Sequence, residues 1–124
     1  MDPKILGKIG EDLAEKFLKN KGYKILERNW KSFHKEIDII AKKSGVIIFV
    51  EVKTIHKTGD SLNRKLAEEN VGQKKIKNLI SASKSYILSK NISPEIPWQI
   101  DVISIEIDLK TNNTEINHFE NAVY

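Results

Sequence analysis

Cysteine is absent from this 124-residue chain, which excludes disulfide bonds and thiolate metal sites and fits a reducing cytoplasm. No apolar run approaches the roughly 18 residues of a membrane-spanning helix, and the first residues, MDPKILGKIGED, lack the apolar segment of a signal peptide. Arginine occurs only as Arg28 and Arg64, so there is little capacity for bidentate reading of bases. We therefore expect a cytoplasmic protein without a membrane partner that contacts any nucleic acid through its phosphates.

The overall composition is that of an ordinary globular domain. Hydrophobic residues make up 40% of the chain and charged residues 31%, and the length predicts a single domain over residues 1–124. The formal net charge is +4 and the isoelectric point about 9.2. This balance allows a polyanionic partner, although a lysine-rich surface is also typical of a solvated face.

Hydrophobic periodicity predicts seven secondary-structure elements. An N-cap at Asp2 and a proline at position 3 begin a helix over residues 3–21. Its apolar stripe consists of Ile5, Ile9, Leu13 and Phe17 together with Leu6, Ala14 and Leu18. Strands are predicted over 23–29, 35–41 and 46–53, then a polar, basic loop over 54–65, a helix over 67–89, and strands over 98–108 and 114–119. The order is α-β-β-β-α-β-β, and the continuous apolarity of the third strand predicts burial on both faces.

The third strand ends with two opposite charges in the sequence GVIIFVEVKT. Glu51 and Lys53 lie two positions apart, and alternate side chains of a strand point to the same face. If Ser44 and Gly45 form the two-residue loop of a hairpin, Asp38 on the preceding strand lies directly opposite Glu51. A four-residue loop keeps this register, whereas a three-residue loop with a bulge shifts it by one.

Two carboxylates without thiolates or clustered histidines suit a hard divalent ion such as Mg²⁺ or Mn²⁺. Such an ion can polarise a phosphate oxygen and acidify a bound water, and Lys53 beside it could position that water. Glu11 lies at the edge of the first helix's apolar stripe, where it could reach the same end of the sheet. The alternative is that Glu51 and Asp38 only form ion pairs with lysines at the strand edge.

Taken together, GEDLAEKFLKNKGYKILERNW, EIDIIA, FVEVKT, a lysine-bearing helix and IDVISI resemble the YraN-like proteins, a group of uncharacterised bacterial proteins. These are assigned to the restriction-endonuclease-like superfamily of PD-(D/E)XK nucleases, and the pattern is similar to archaeal Holliday-junction resolvases. The resemblance runs from about residue 7 to residue 119. It implies a three-layer α/β/α core with a mixed central sheet and a metal-dependent endonuclease acting on DNA, more by structure than by base sequence.

The resemblance also implies a role for each matching position. Asp38 and Glu51 match the metal ligands, joined by the backbone carbonyl of Val52, and Lys53 matches the catalytic lysine. Glu11 matches a helix glutamate that assists the metal. Gln73 matches a supporting glutamine on the second helix, and related resolvases act as dimers, which suggests a homodimer. Two positions depart from the pattern, with isoleucine instead of proline before the aspartate and Gln99 where an arginine that contacts phosphate is expected.

A rival interpretation is a non-catalytic nucleic-acid-binding or adaptor protein on the same fold. Nucleic acid would then bind to a basic loop and to one flank of the second helix, a set made of His56, Lys57, Arg64, Lys65, Gln73, Lys77 and Lys84. A KH-type Gly-x-x-Gly loop is a further alternative, since Gly7 and Gly10 have its spacing. The three histidines, at positions 34, 56 and 118, lack zinc spacing.

Overall fold

The structure, a computed structural model, describes residues 2–57 and 72–122. Its elements are α1 (Pro3–Asn20), β1 (Lys24–Ser32), β2 (Lys35–Lys43), β3 (Val46–Lys57), α2 (Gln73–Ser89), β4 (Trp98–Asp108) and β5 (Thr114–Phe119). This is the predicted order, and Asp2 caps α1 as expected by accepting a hydrogen bond from the Lys4 N–H at 2.8 Å. Within the described ranges, no helix is long and apolar enough to cross a bilayer.

The five strands form one mixed sheet in the order β1-β2-β3-β4-β5. β3 and β4 run parallel, and the other three neighbouring pairs are antiparallel. A parallel pair cannot be joined by a tight turn, and α2 accordingly lies in the connection between β3 and β4.

The two helices cover opposite faces of this sheet. In β3, Ile48 and Val50 belong to the core cluster that contains the buried residues of α1. The alternate side chains, Ile47 and Phe49, belong to a second cluster that contains Leu79 and other residues of α2. The third strand is thus buried on both faces, as its composition predicted, and the domain is a three-layer α/β/α structure.

The β2–β3 hairpin has the predicted register. Ser44 and Gly45 adopt positive φ angles of 52° and 79°, the backbone of a two-residue type I′ turn. Lys43 pairs with Val46, and the pairing continues without a shift in register as far as Ile39 and Val50. Asp38 and Glu51 lie one position beyond this last pair, where the two strands stop hydrogen bonding through their backbones.

α1 is rotated towards one side of the predicted stripe. The buried positions are Leu6, Ala14 and Leu18 of that stripe together with Gly10, whereas Ile5 is 55% exposed. Gly10 decides this rotation, because its Cα faces Thr54 of β3 so closely that a Cβ would overlap the threonine side chain. The KH-type interpretation is wrong, since both glycines of that motif lie inside a continuous helix.

Several predicted boundaries were wrong. β1 continues to Ser32, and β3 continues to Lys57, so His56 and Lys57 belong to a strand and not to a loop. Residues 54–57 have little apolar character, but they extend the parallel ladder along β4. α2 begins at Gln73, after a Gly72 with extended backbone. The predicted start of this helix, at residue 67, lies outside the described residues, as do Arg64 and Lys65.

Candidate functional site

A cleft of about 500 Å³ opens on the α2 side of the sheet, where β2 and β3 separate. It is lined by β2 with the turn before it, by β3 and by the start of α2: His34, Lys35, Glu36, Asp38, Glu51, Gly72, Lys74, Lys75, Asn78 and Leu79. Asp38 and Glu51 therefore share one cavity, on one side of the sheet, as the hairpin register predicted. Their role as metal ligands stays a prediction.

Asp38 holds the two strands together through its side chain. Its Oδ2 accepts a hydrogen bond of 2.8 Å from the Val52 N–H, just past the end of the backbone ladder. Burial and, after it, the neighbouring charges of Glu51 and Glu11 raise the pKa of Asp38 to about 7, against the opposing effects of the Val52 N–H and Lys75. The aspartate therefore lies in a site where a second negative charge is unfavourable unless a cation is present.

Lys75 is a residue of this site that the sequence did not reveal. Its Nζ lies 2.7 Å from Oε1 of Glu51, whose side chain is only 4% exposed. Burial acts to lower the pKa of Lys75, but the hydrogen bond to Glu51 and the negative charges of Glu51 and Asp38 outweigh it, so the pKa is raised. Because α2 begins at Gln73, Lys75 falls in the first helical turn beside β3. Without that boundary, nothing distinguished it from the other lysines of the sequence QKKIKN.

Lys53 belongs to the same group of charges. Burial lowers its pKa, and the ammonium of Lys75 lowers it further, while Glu51 and Asp38 act in the opposite direction. The alternation along β3 that places Glu51 and Lys53 on one side thus brings two lysines and two carboxylates together. A lysine with a lowered pKa can hold or release a proton closer to neutral pH than a solvated one.

Glu11 lines a separate pocket beside Arg28 and Asn29, and its carboxylate already has partners. It is paired with Nη2 of Arg28 at 3.3 Å. When the Asn29 side-chain amide is oriented so that its oxygen and its nitrogen both have suitable hydrogen-bond partners, the nitrogen donates to Glu11 at 2.9 Å and to Glu36 at 3.0 Å. In this arrangement Glu11 connects α1 to β1, and its effect on Asp38 is electrostatic. Its predicted assistance to a metal stays a prediction.

The residues predicted to bind nucleic acid lie outside the cleft where the structure describes their side chains. His56, Gln73, Lys77 and Lys84 are exposed, and none of these four lines the cavity. Their binding role stays a prediction. The cleft instead has Lys35, Lys74 and Lys75 along its wall.

A second polar cluster lies on the α1 side of the sheet. Ligand atoms of Asp101, His118 and Glu120 lie within 4.8 Å of one another, a spacing that could bind a metal ion. His118 Nε2 is 2.7 Å from Oδ2 of Asp101, which is fully buried. Oδ1 of Asp101 accepts hydrogen bonds of 2.8 Å from the Gln99 side chain and the Asn121 N–H.

Aromatic rings enclose this second cluster. The His118 ring makes edge contacts with Phe17 and Tyr23, and the Tyr23 hydroxyl donates to Glu120 at 3.2 Å. Two carboxylates and an imidazole suit a divalent transition metal. His118 lacks zinc spacing in the sequence, and only the antiparallel pairing of Val102 with Phe119 brings the end of β5 to the start of β4. The Gln99 side chain donates a hydrogen bond to Asp101 and therefore belongs to this cluster.

Comparison with known proteins identifies relatives over nearly the whole chain. A UPF0102 protein of Clostridium beijerinckii is 40% identical over 119 residues, covering 96% of this chain and 93% of that protein. A UPF0102 protein of Fervidobacterium nodosum is 44% identical over 116 residues, covering 92% of this chain and 78% of that one.

Among solved structures, the chain is similar to Pyrococcus furiosus SfsA in complex with Ca²⁺, with 19% identity and a TM-score of 0.39. The match covers 99% of this chain but only 65% of that one, and it is too distant for any property of SfsA to be transferred. The model of the uncharacterised protein family UPF0102 matches residues 10–105. On this match and on the relatives above, the chain belongs to the uncharacterised protein family UPF0102.

Proposed function

We propose that this protein is a metal-dependent nuclease that hydrolyses phosphodiester bonds in DNA and selects substrates by structure more than by sequence. The observation that carries the proposal is the shared cleft of Asp38 and Glu51, with Lys75 bonded to Glu51 and Lys53 close by. Two carboxylates and two ammonium groups are the groups needed to bind a hard cation beside a phosphate. The resemblance to PD-(D/E)XK nucleases and resolvases supports the same assignment.

The residues in the cleft fit a divalent cation such as Mg²⁺ or Mn²⁺. The Lys75 ammonium beside Glu51 is a cation at this position already, and the pKa of Asp38 is raised first by burial and then by the negative charges of Glu51 and Glu11. Asp38, Glu51 and the backbone carbonyl of Val52 would hold the ion. When bound, it would polarise a phosphate oxygen and lower the pKa of a bound water.

The two lysines would act on the attacking water and on the phosphate. Lys53, with its lowered pKa, would orient the attacking water and could take its proton. Lys75 is about half-exposed and, once displaced from Glu51, would neutralise a phosphate oxygen. Glu11 would add negative potential near the ion, acting through water, because Arg28 and Asn29 already bind its carboxylate.

The proposed substrate is DNA with branched or otherwise irregular structure. The net charge of +4 favours a polyanion, and the described residues of the cleft wall include three lysines and no arginine. Lysine contacts phosphates as a point charge and does not read bases bidentately, so affinity would depend on backbone shape and salt. A homodimer, in which two clefts act on two strands, is part of this proposal.

The second candidate is a non-catalytic adaptor that binds nucleic acid on the same fold. The Lys75–Glu51 ion pair favours it, because this pair neutralises a buried carboxylate without any metal. Metal dependence distinguishes the two candidates, since an adaptor has no need of an ion in this cleft.

The test is a nuclease panel of linear, nicked, flapped and four-way DNA, each with Mg²⁺, Mn²⁺ or EDTA. We expect cleavage of at least one structured substrate that requires the metal and is lost in Asp38→Asn. Glu95→Gln, a change of an exposed carboxylate outside the cleft, is the matched control and should cleave like the wild type. Binding without cleavage under every condition would support the adaptor.

A further inference from the structure

Phe33 is the most exposed large apolar side chain among the described residues, at 97% exposure. It lies at the tip of the β1–β2 hairpin, between Ser32 and Lys35, and its φ of 57° is in the left-handed region. Glycine and asparagine adopt this backbone readily, whereas a bulky aromatic residue rarely does. An exposed aromatic ring at this position therefore adds nothing to the stability of the fold. The simplest physical reason for the ring is that it binds a ligand.

The tip lies at the mouth of the cleft. His34 and Lys35, which directly follow Phe33, line the cavity that contains Asp38 and Glu51. Asp38 lies five positions after Phe33 in the chain, and an extended chain spans at most about 3.6 Å per residue. The Cα atoms of the two residues are therefore within about 18 Å of each other.

The surroundings of the ring favour nucleic acid over protein as its ligand. Lys31 and Lys35 flank the tip on its two strands, and Lys74 and Lys75 lie across the cleft. Within the described part of the chain, the neighbours of Phe33 in the turn, Ser32 and His34, are polar, so the turn does not extend the ring into the apolar patch that is typical of a protein interface. A single aromatic ring among cations is instead the arrangement that stacks on a nucleobase while lysines contact phosphates.

We propose that Phe33 stacks on an unpaired base and thereby makes the protein selective for DNA that contains single-stranded or junction nucleotides. This inference rests on the proposed function only for the position of the cut. At 3.4 Å per nucleotide, a backbone separation of up to about 18 Å corresponds to about five nucleotides, so we expect the cut on that scale from the stacked base.

The experiment compares Phe33→Ala, Phe33→Tyr and Leu88→Ala with the wild type. Leu88 is also exposed, at 80%, but lies near the end of α2 and does not line the cleft, so it is the matched control. Binding is measured in EDTA to a duplex with a short single-stranded gap and to the same duplex without it. A 2-aminopurine in the gap reports stacking by its fluorescence.

We expect the wild type to prefer the gapped duplex. Phe33→Ala should lose about 5- to 100-fold in affinity for it, with little change for the intact duplex. Phe33→Tyr should retain the preference, and Leu88→Ala should match the wild type. In Mg²⁺, cuts should map within about five nucleotides of the gap.

Other outcomes would show whether the stacking proposal or the nuclease assignment is wrong. Equal affinity of Phe33→Ala and wild type for the gapped duplex would overturn the stacking proposal, whether or not the DNA is cleaved. A changed molecular mass of Phe33→Ala in size-exclusion chromatography, with unchanged binding, would also overturn it and make the tip a contact with a second copy. Base stacking without any cleavage would uphold this inference while the nuclease assignment fails.

Discussion

The ammonium of Lys75 lies 2.7 Å from the Glu51 carboxylate, in the cleft that also contains Asp38. The contact joins the first turn of α2 to β3 across the cleft. In the proposed nuclease site, Lys75 would have two opposing effects: it would compete with the metal for Glu51, and it would supply positive charge for a phosphate. These two effects can be measured separately.

Lys75→Gln should raise the affinity for Mn²⁺ by roughly fivefold, because it removes a competing cation whose half-exposed ion pair is worth on the order of 1 kcal/mol. The same change should weaken DNA binding and flatten its salt dependence by up to about one phosphate contact. Calorimetric titration with Mn²⁺ and DNA binding at several salt concentrations test both effects. Lys77→Gln, an exposed lysine outside the cleft, is the control and should leave Mn²⁺ affinity unchanged.

Asp38 should make stability depend on pH. Its pKa is about 7 in the folded protein and near 3.8 when unfolded, so the folded state binds this proton more tightly. The resulting contribution is complete below pH 3.8 and is lost as pH rises through 7. Between pH 5 and pH 8 in EDTA, the free energy of unfolding of the wild type should fall by about 2 to 3 kcal/mol relative to Asp38→Asn.

Urea unfolding of both proteins at pH 5, 6, 7 and 8 measures this difference. Added Mn²⁺ should reverse the loss at pH 8 in the wild type and have a smaller effect in Asp38→Asn, because the ion binds the charged carboxylate. Parallel pH profiles for the two proteins would show that Asp38 titrates normally and would remove the argument for a cation beside it.

Glu51→Gln and Lys53→Met should both abolish metal-dependent cleavage, yet they should change DNA binding in opposite directions. Glu51→Gln removes a negative charge, so affinity in EDTA should stay equal or rise. Lys53→Met keeps most of the apolar stem and loses the ammonium, so affinity should fall modestly, with a salt slope lower by up to about one contact. Wild-type cleavage by either purified variant would indicate a contaminating nuclease or a different site.

Two glycines of α1 provide a test of how this helix is seated on the sheet. Gly10→Ala should destabilise the protein by about 1 to 3 kcal/mol, because the new methyl group overlaps the Thr54 side chain. Gly7→Ala should stabilise it by about 0.5 to 1 kcal/mol, since a Cβ there meets nothing within 4 Å and alanine favours the helix. Thermal or urea unfolding measures both values. Equal effects at both positions would contradict the close approach of Gly10 to β3.

The buried cluster around Asp101 makes a separate prediction. Asp101→Asn should lower the free energy of unfolding by about 2 to 4 kcal/mol, because the fully buried carboxylate oxygens bind His118, Gln99 and the Asn121 N–H. If the cluster binds a transition metal, Asp38→Asn should still bind one equivalent of Zn²⁺ that His118→Ala loses. Titration of both variants with Zn²⁺ decides the matter. Loss of all Zn²⁺ binding in Asp38→Asn would assign the metal to the cleft alone.

The elements with strong local signals could be predicted closely. Asp2 and Pro3 begin α1 as expected, and the long apolar strands from Val46 and Trp98 start where predicted. Errors occurred where tertiary contacts overrode local composition. Residues 54–57 are polar except for Ile55 and are predicted as a loop, but the parallel ladder of β4 extends β3 through them. The close approach of Gly10 to Thr54 likewise turns α1 towards the Leu6, Ala14 and Leu18 side of its predicted stripe.

The sequence by itself determined the α-β-β-β-α-β-β order and, through the Ser44–Gly45 turn, the register that brings Asp38 and Glu51 together, because these depend on local propensity and strand alternation. Only the tertiary structure decided which partners reach those carboxylates. Lys75 comes from a helix 24 residues beyond Glu51 in the chain, and its place in the cleft depends on where α2 begins and how it crosses the sheet. Many surface lysines are locally equivalent in sequence, and packing alone distinguishes the one that contacts a buried carboxylate.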